Sequence, residues 1–475
     1  MKKSLIVFLL ILICGISGIL CGHVRLMKSG RNVTFQETVI CGDRKEAEGL
    51  YVKEKAQILA LQDRYLSWEI EYSVADGKAE DIKTSADRSL FQEQEKGTVQ
   101  DDLLLSLRFV DNMAWTSYGV ESDVIDVSYY PELADEMNKM KQETAVRESC
   151  QKSFRPKDYM DDYPVSVIEN LSEGRVIWRD DQGTVLDKIE DIDKKLSAAF
   201  QIPLSGDESF QISYTKTSET EESVTTLLEN SRVTDYFSEC LYLEEGIYLA
   251  VDVQAEGVDT SSMNGLYFLP WEQSPEGVIL KGMYKVYPDA TEQFIRMWTN
   301  EDQSCLLLLT KDRAGCMLRV IPREKINRTG NSAENTGSDG ILEIPLNLAA
   351  GGLAYGGSCT GKNLWVIWDA SGQFSAVSEG ADGVFTTVLT GNLGVAKDFA
   401  YFDGGTGAAF RNGKLALCGG CDAEPENSNL CGFAVAVYDA SGIQYAAKYP
   451  CSLNQKENSS DSLPSWNQTL NLWWK

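Results

Sequence analysis

Short apolar runs, rich in branched and aromatic residues and bounded by glycine or aspartate, dominate the chain. Gly246–Gln254 (GIYLAVDVQ), Cys305–Thr310 (CLLLLT), Leu364–Asp369 (LWVIWD) and Phe433–Asp439 (FAVAVYD) are the clearest. Runs of this length and make-up predict β-strands. Gln57–Val74 and Leu103–Gly119 read as further strands, alternating in part between apolar and polar positions. One segment breaks the pattern. Over 131–150 the positions of Leu133, Met137 and Met140 share a helical face and Pro131 suits a first turn, which predicts a helix. The apolar positions of Thr184–Phe200 fit either period, and Arg323–Gly340 reads as a flexible excursion. The tail 452–475 starts as a linker, and its last residues are suited to return as a strand that closes a ring.

Several strand-like runs end in the same turn. Asp180 with Gly183, Asp312 with Gly315, Asp369 with Gly372 and Asp439 with Gly442 repeat an Asp-x-x-Gly pattern, and Gly246 ends a looser copy. The aspartate accepts from backbone amides two or three residues on, and the glycine supplies the positive φ that closes a hairpin. Glycines 183, 246, 315, 372 and 442 are separated by 63, 69, 57 and 70 residues. A second match runs through two of these units. Leu353–Cys359 (LAYGGSC) leads into LWVIWDASG, and Leu415–Cys421 (LALCGGC) leads into FAVAVYDASG. Each gives strand, glycine pair, cysteine, loop, strand and turn in one order.

Self-similarity at a period of about 65 residues, with several hairpins per period, resembles the blades of β-propeller repeat proteins. The resemblance spans roughly residues 170–450 and is architectural, since the Trp-Asp and Gly-His signatures of WD40 repeats are absent. It implies a mainly β, propeller-like repeat of antiparallel blades. A pair of β-sandwiches or an irregular β-solenoid is the alternative.

The N-terminus adds a membrane element. Lys2 and Lys3 precede an unbroken apolar run from Leu5 to Gly22, whose helix would be roughly 27 Å long, near a bilayer's hydrocarbon thickness. Cys14 and Cys21 follow Ile13 and Leu20, where lipoprotein processing wants a small residue. The expected order is a stub at 1–3, a transmembrane signal-anchor at 4–23, a juxtamembrane linker at 24–32, a folded domain at 33–451 and the tail at 452–475. The bulk of the chain is expected outside the cell. Secretion after signal cleavage is the alternative.

Charge and chemistry narrow the function. A formal net charge of −27 over 475 residues repels phosphate backbones and anionic headgroups, so nucleic acid is not an expected partner and the bilayer is met through the N-terminal helix alone. The single histidine, His23, abuts the apolar run, which excludes histidine-based triads and metal sites from the folded region. The ten cysteines beyond that run suit an oxidising compartment. Cys421 and Cys431 close a polar loop between two strands and are the first disulfide candidate; Cys418, Cys359 and Cys451 are the others. Cys305 and Cys316 are not expected to pair with each other. Cys418-Gly-Gly-Cys421 has redox spacing, but no helical pattern follows to lower a thiol pKa.

Gly356-x₄-Gly361-Lys362 nearly matches a nucleotide phosphate loop. The next residue, Asn363, is a poor magnesium ligand, and a strand follows where a helix is needed, so a turn is expected instead. No cofactor is expected. Trp115, Trp271, Trp365 and Trp368 are the aromatics to inspect for ligand stacking; Trp365 and Trp368, three apart on one strand, face opposite ways. Together these features predict a membrane-anchored extracytoplasmic binding protein whose partner is a cell-surface protein or glycan. The alternative is a histidine-free glycosidase or lyase that uses two carboxylates.

Overall fold

The computed structural model describes residues 35–60, 64–85, 103–109, 115–119, 134–171, 176–179, 184–186, 189–218, 222–274, 277–287, 292–312, 315–326, 341–348, 355–398, 407–424, 427–450 and 466–475. These residues form two compact units. One comprises 1–96, 313–317 and 344–475, the other 97–312 and 318–343.

The first unit holds three antiparallel meanders. The first blade runs Trp466–Trp474, Leu50–Ala60, Arg64–Ser73 and Lys78–Ser85 in spatial order. The second runs Gly407–Arg411, Lys414–Glu424, Asn427–Asp439 and Gly442–Pro450, with Thr38–Gly42 added outside. The third runs Tyr355–Gly361, Leu364–Asp369, Gln373–Glu379 and Phe385–Asn392.

First strands of neighbouring blades lie side by side. Gly361 faces Ala408 in a parallel bridge, and Gly407 abuts the backbone of Leu470 and Leu472. A Cβ on Gly361 would lie 1.9 Å from the Ala408 carbonyl oxygen, so only glycine allows this approach. Meanders led off from adjacent first strands are β-propeller-type blades, and the chain is mainly β.

The apolar faces of the strands fill the spaces between blades. Leu415 and Leu417 pack with Val366, Trp368 and Tyr438 on one side of the second blade. On the other side Ala416, Val435 and Val437 pack with Val52, Leu470 and Leu472. Alternation thus sends successive residues of one strand into two separate cores, which explains why these strands read as continuous apolar runs.

The second unit has four β assemblies. A meander of Val233–Leu243, Gly246–Ala255, Gly265–Ser274 and Tyr284–Lys285 is extended by Gly277–Leu280, Val176–Arg179 and Val185–Leu186. Leu103–Phe109 pairs with Val165–Leu171. The sheet Trp115–Gly119, Glu222–Glu229, Ser209–Lys216, Glu148–Phe154 follows. The last runs Gln293–Thr299, Cys305–Lys311, Cys316–Pro322, Leu342–Pro345.

The recurrent turn forms as its chemistry requires at Asp369 and Asp439, whereas 180–183 and the middle of the Asp312–Gly315 copy lie outside the described residues. Asp369 Oδ1 accepts from the amides of Ser371 at 2.8 Å and Gln373 at 3.1 Å, and Gly372 has φ 88°. Asp439 repeats this with Ser441 at 2.7 Å and Gly442 at φ 115°. The turn marks a hairpin and not a fixed place in a blade. It joins the second and third strands of the third blade but the third and fourth strands of the second. The two matched units are therefore offset by one strand.

Several expectations are corrected or bounded. The helix predicted over 131–150 is described over Ala134–Glu143, with 131–133 outside the described residues, and it ends short of Cys150. Arg147 turns the chain at φ 70°, and Cys150 lies in the strand that pairs with Ser209–Lys216, whose backbone bonds outweigh the helical pattern. The ambiguous segment becomes a short strand, Val185–Leu186, and a helix, Ile189–Ser197. Within 323–340, Arg323–Lys325 forms one 3₁₀ turn, and 327–340 lie outside the described residues, as do the anchor at 4–23 and the linker at 24–32. No helix among the described residues is long and apolar enough to cross a membrane.

Candidate functional site

In the second unit, the side chains of strand Val233–Leu243 complete the hydrogen bonding of strands on both sides. Toward Leu103–Phe109, Tyr242 Oη accepts from the Leu105 amide at 3.0 Å and Ser238 Oγ from the Leu107 amide at 2.8 Å. Cys240 Sγ donates to the Leu105 carbonyl at 3.2 Å. Toward Gln293–Thr299, Glu239 accepts from the Met297 amide and pairs with Arg296 at 3.2 Å. Asp252, on the adjoining strand, accepts from the Phe294 amide at 3.2 Å and from Asn264 Nδ2 at 2.9 Å. Side-chain partners for backbone amides at a sheet edge let sheets abut without a ladder between them.

This seam contains the two raised acids among the unit's described residues. Burial pushes Asp252 up to about 6, against the pull of the Phe294 amide, and Asp235 adds to the rise. Burial also raises Glu239, with the Arg296 guanidinium opposing. Raised carboxyls are the expected signature of general acids. Here both carboxyls already hold the chain's own amides.

A third carboxylate is shifted the other way. Glu208 is buried, which alone would raise it, yet its hydrogen bonds bring it down to about 2. They come from Ser205 Oγ at 2.7 Å, the Ser205 amide at 2.9 Å, the Gly206 amide at 2.9 Å and Tyr163 Oη at 2.8 Å. Tyr163 Oη in turn accepts from the Arg232 amide at 2.6 Å. This carboxylate fixes a loop to the start of the seam strand.

In the first unit, Glu54 is fully buried on the face that carries Val52 and Ala56. Its oxygens accept from Trp68 Nε1 at 3.0 Å and from Gln468 Nε2. Gln468 also donates to the Gly432 carbonyl at 2.9 Å, which links the first blade to the second. Burial outweighs both bonds and pushes Glu54 up to about 7. Cys418 lies nearby; burial first, then Cys359, Glu54 and Cys421, hold its thiol well above the usual range.

The cysteines depart from expectation. No disulfide joins any two of the eight described cysteines. Cys418 and Cys421 are both buried in strand Lys414–Glu424 but on opposite faces. Cys418 sits in the core shared with Val52 and Leu470, whereas Cys421 shares the other core with Cys359. Cys421 Sγ donates to the Phe433 carbonyl at 3.2 Å. A Cys-x-x-Cys spacing in a strand separates the two thiols, where a helix would bring them together. The Cys431 side chain and Cys451 lie outside the described residues.

The tryptophans fall as follows. Trp365 and Trp368 are buried on opposite faces: Trp365 packs 5.7 Å from the Phe385 ring, and Trp368 lies over Gly357. Trp271 is half-buried, with Nε1 donating to the Glu244 carbonyl at 2.7 Å. The Trp115 side chain lies outside the described residues. The near phosphate loop is a hairpin, with Gly361 opposite Leu364 and Asn363 at φ 49°.

Sequence reasoning did not single out Glu54, Glu239, Asp252 or Glu208. Two had a readable signal, an acid at an apolar position: Glu54 between Val52 and Ala56, and Asp252 inside an apolar run.

No protein-family model and no curated protein matches the sequence. Similar solved structures include the β-propeller domain of Cps50 (Swd1) from Myceliophteria thermophila. It is 8% identical, with a TM-score of 0.24 over 66% of this chain and 88% of that one. A protein from Lactobacillus plantarum is 7% identical, with a TM-score of 0.27 over 84% and 97%. A functionally unknown protein from Desulfotomaculum acetoxidans is 9% identical, with a TM-score of 0.25 over 82% and 93%.

Proposed function

We propose that this chain is a membrane-anchored, extracytoplasmic binding protein that engages a cell-surface protein through the outer edges of its blades. The observation that carries the reading is where large apolar side chains are exposed. Val39 and Ile40, 50% and 41% exposed, lie on the outermost strand of the second blade. Ile82, Val185 and Leu342 lie on the terminal strands of their sheets, and Val384 and Val395 flank that of the third blade. An open strand edge that carries apolar side chains is suited to pair with a partner's extended segment. The apolar run at 4–23 would hold these edges near the membrane.

The reading is tested with two variants in cells of the source organism. Val384→Cys, at a position 51% exposed, should label with a membrane-impermeant maleimide on intact cells. A photo-crosslinking residue at Val39 should capture a discrete protein partner. Labelling only after permeabilisation would overturn the topology. Capture of glycan alone, or of nothing, would overturn the partner class.

A second reading, a carboxylate-dependent carbohydrate-active enzyme, rests on the raised Asp252 and Glu239. It predicts polysaccharide cleavage that Asp252→Asn abolishes while the fold persists.

A further inference from the structure

Strand Trp466–Trp474 is the first strand of a blade whose other three strands lie near the opposite end of the sequence. It is held by a ladder to Leu50–Ala60 on one edge and by the Gln468–Gly432 bond to the second blade. Gln468 also donates to Glu54, so one side chain joins the closing strand to both neighbours.

Glu54 has 0% exposure. Three elements present groups to it. Arg64–Ser73 contributes the Trp68 indole N–H and Trp466–Trp474 contributes the Gln468 amide; neither titrates. Lys414–Glu424 contributes the Cys418 thiol, which burial keeps neutral. No cation pairs with Glu54 among the described residues. Two neutral donors do not offset the desolvation of a buried charge.

We propose that Trp466–Trp474 is a proton-gated closure: neutral Glu54 holds the strand in place, and ionised Glu54 releases it. The geometry supplies the direction. Gln468, on that strand, contacts the carboxylate and reaches across to the Gly432 carbonyl, so withdrawing the strand removes this contact and opens that side of the charge to water. The acid's folded value, about 7, lies above its unfolded value of 4.5. The closed state therefore binds the proton more tightly than the open one, and closure weakens as pH rises from about 4.5 to about 7.

The test is hydrogen exchange read by mass spectrometry on the full chain at pH 5.5 and 8.5, corrected for the intrinsic pH dependence of exchange. Opening of 466–474 should increase about 30-fold across that interval, from the two pKa values. Gln373–Glu379, in the third blade, serves as the internal reference and should change by less than about threefold. In Glu54→Gln the closing strand should behave like the reference. An equal rise in both strands of the wild type would overturn the proposal, because the effect would then be global. So would a rise in 466–474 that survives in Glu54→Gln. Should that variant not fold, the two wild-type strands decide the matter alone.

Discussion

Replacing Glu208 with glutamine isolates the energy of a buried carboxylate that holds a loop. The group's folded value is about 2 against 4.5 for an ordinary glutamate. At about 1.4 kcal/mol per unit, ionised Glu208 contributes about 3 kcal/mol. Because the folded pKa is depressed, this contribution is complete above about pH 4.5 and is lost as pH falls through about 2. The amide cannot accept from all of its donors at once: Ser205 Oγ, the Ser205 and Gly206 amides and Tyr163 Oη. Urea unfolding followed by circular dichroism should place Glu208→Gln about 3 kcal/mol below wild type at pH 7. The gap should narrow to about 1 kcal/mol at pH 2.5. A gap below about 1 kcal/mol at pH 7, or one that does not narrow in acid, would show that the network does not store its energy as charge.

Two further outcomes follow from the same reasoning. Gly361→Ala sets a Cβ 1.9 Å from the Ala408 carbonyl oxygen and should cost at least about 2 kcal/mol, seen as a lowered thermal midpoint; an unchanged midpoint would mean that the blades separate freely there. Asp252, raised from 3.8 to about 6, should lower stability by about 3 kcal/mol as pH climbs through that window. Asp252→Asn should flatten the loss in urea titrations at pH 4 and 7, and parallel titrations for the two proteins would contradict this.

Much of the fold was legible because its strands obey local rules. The Asp369 and Asp439 turns form as their sequence demands, since an aspartate acceptor and a glycine at positive φ are complete within four residues. The unbroken apolar runs signalled strands buried on both faces, as Leu415–Cys418 shows by feeding two cores. What local pattern could not carry was pairing. The helix predicted up to Cys150 stops at Glu143 because a strand 60 residues away claims Glu148–Phe154. The shifted acids were hidden for the same reason. Glu54 stands apart only beside Gln468, and Asp252 only beside the Phe294 amide. The disulfide expectation rested on spacing, and spacing does not reveal that Cys418 and Cys421 point into different cores.

The pairing of Trp466–Trp474 with Leu50–Ala60 also has a consequence for synthesis. Gln468 and Glu54 are 414 residues apart, so on the ribosome Leu50–Ala60 emerges long before the strand that covers it exists. Until residues 466–474 leave the exit tunnel, the first blade has an uncovered edge with Val52, Glu54 and Ala56 beside it. A nascent chain that stalls short of residue 466 leaves that edge bare. Chaperones and proteases can then tell such a chain from one that has made residues 466–474 by the edge of its first blade alone.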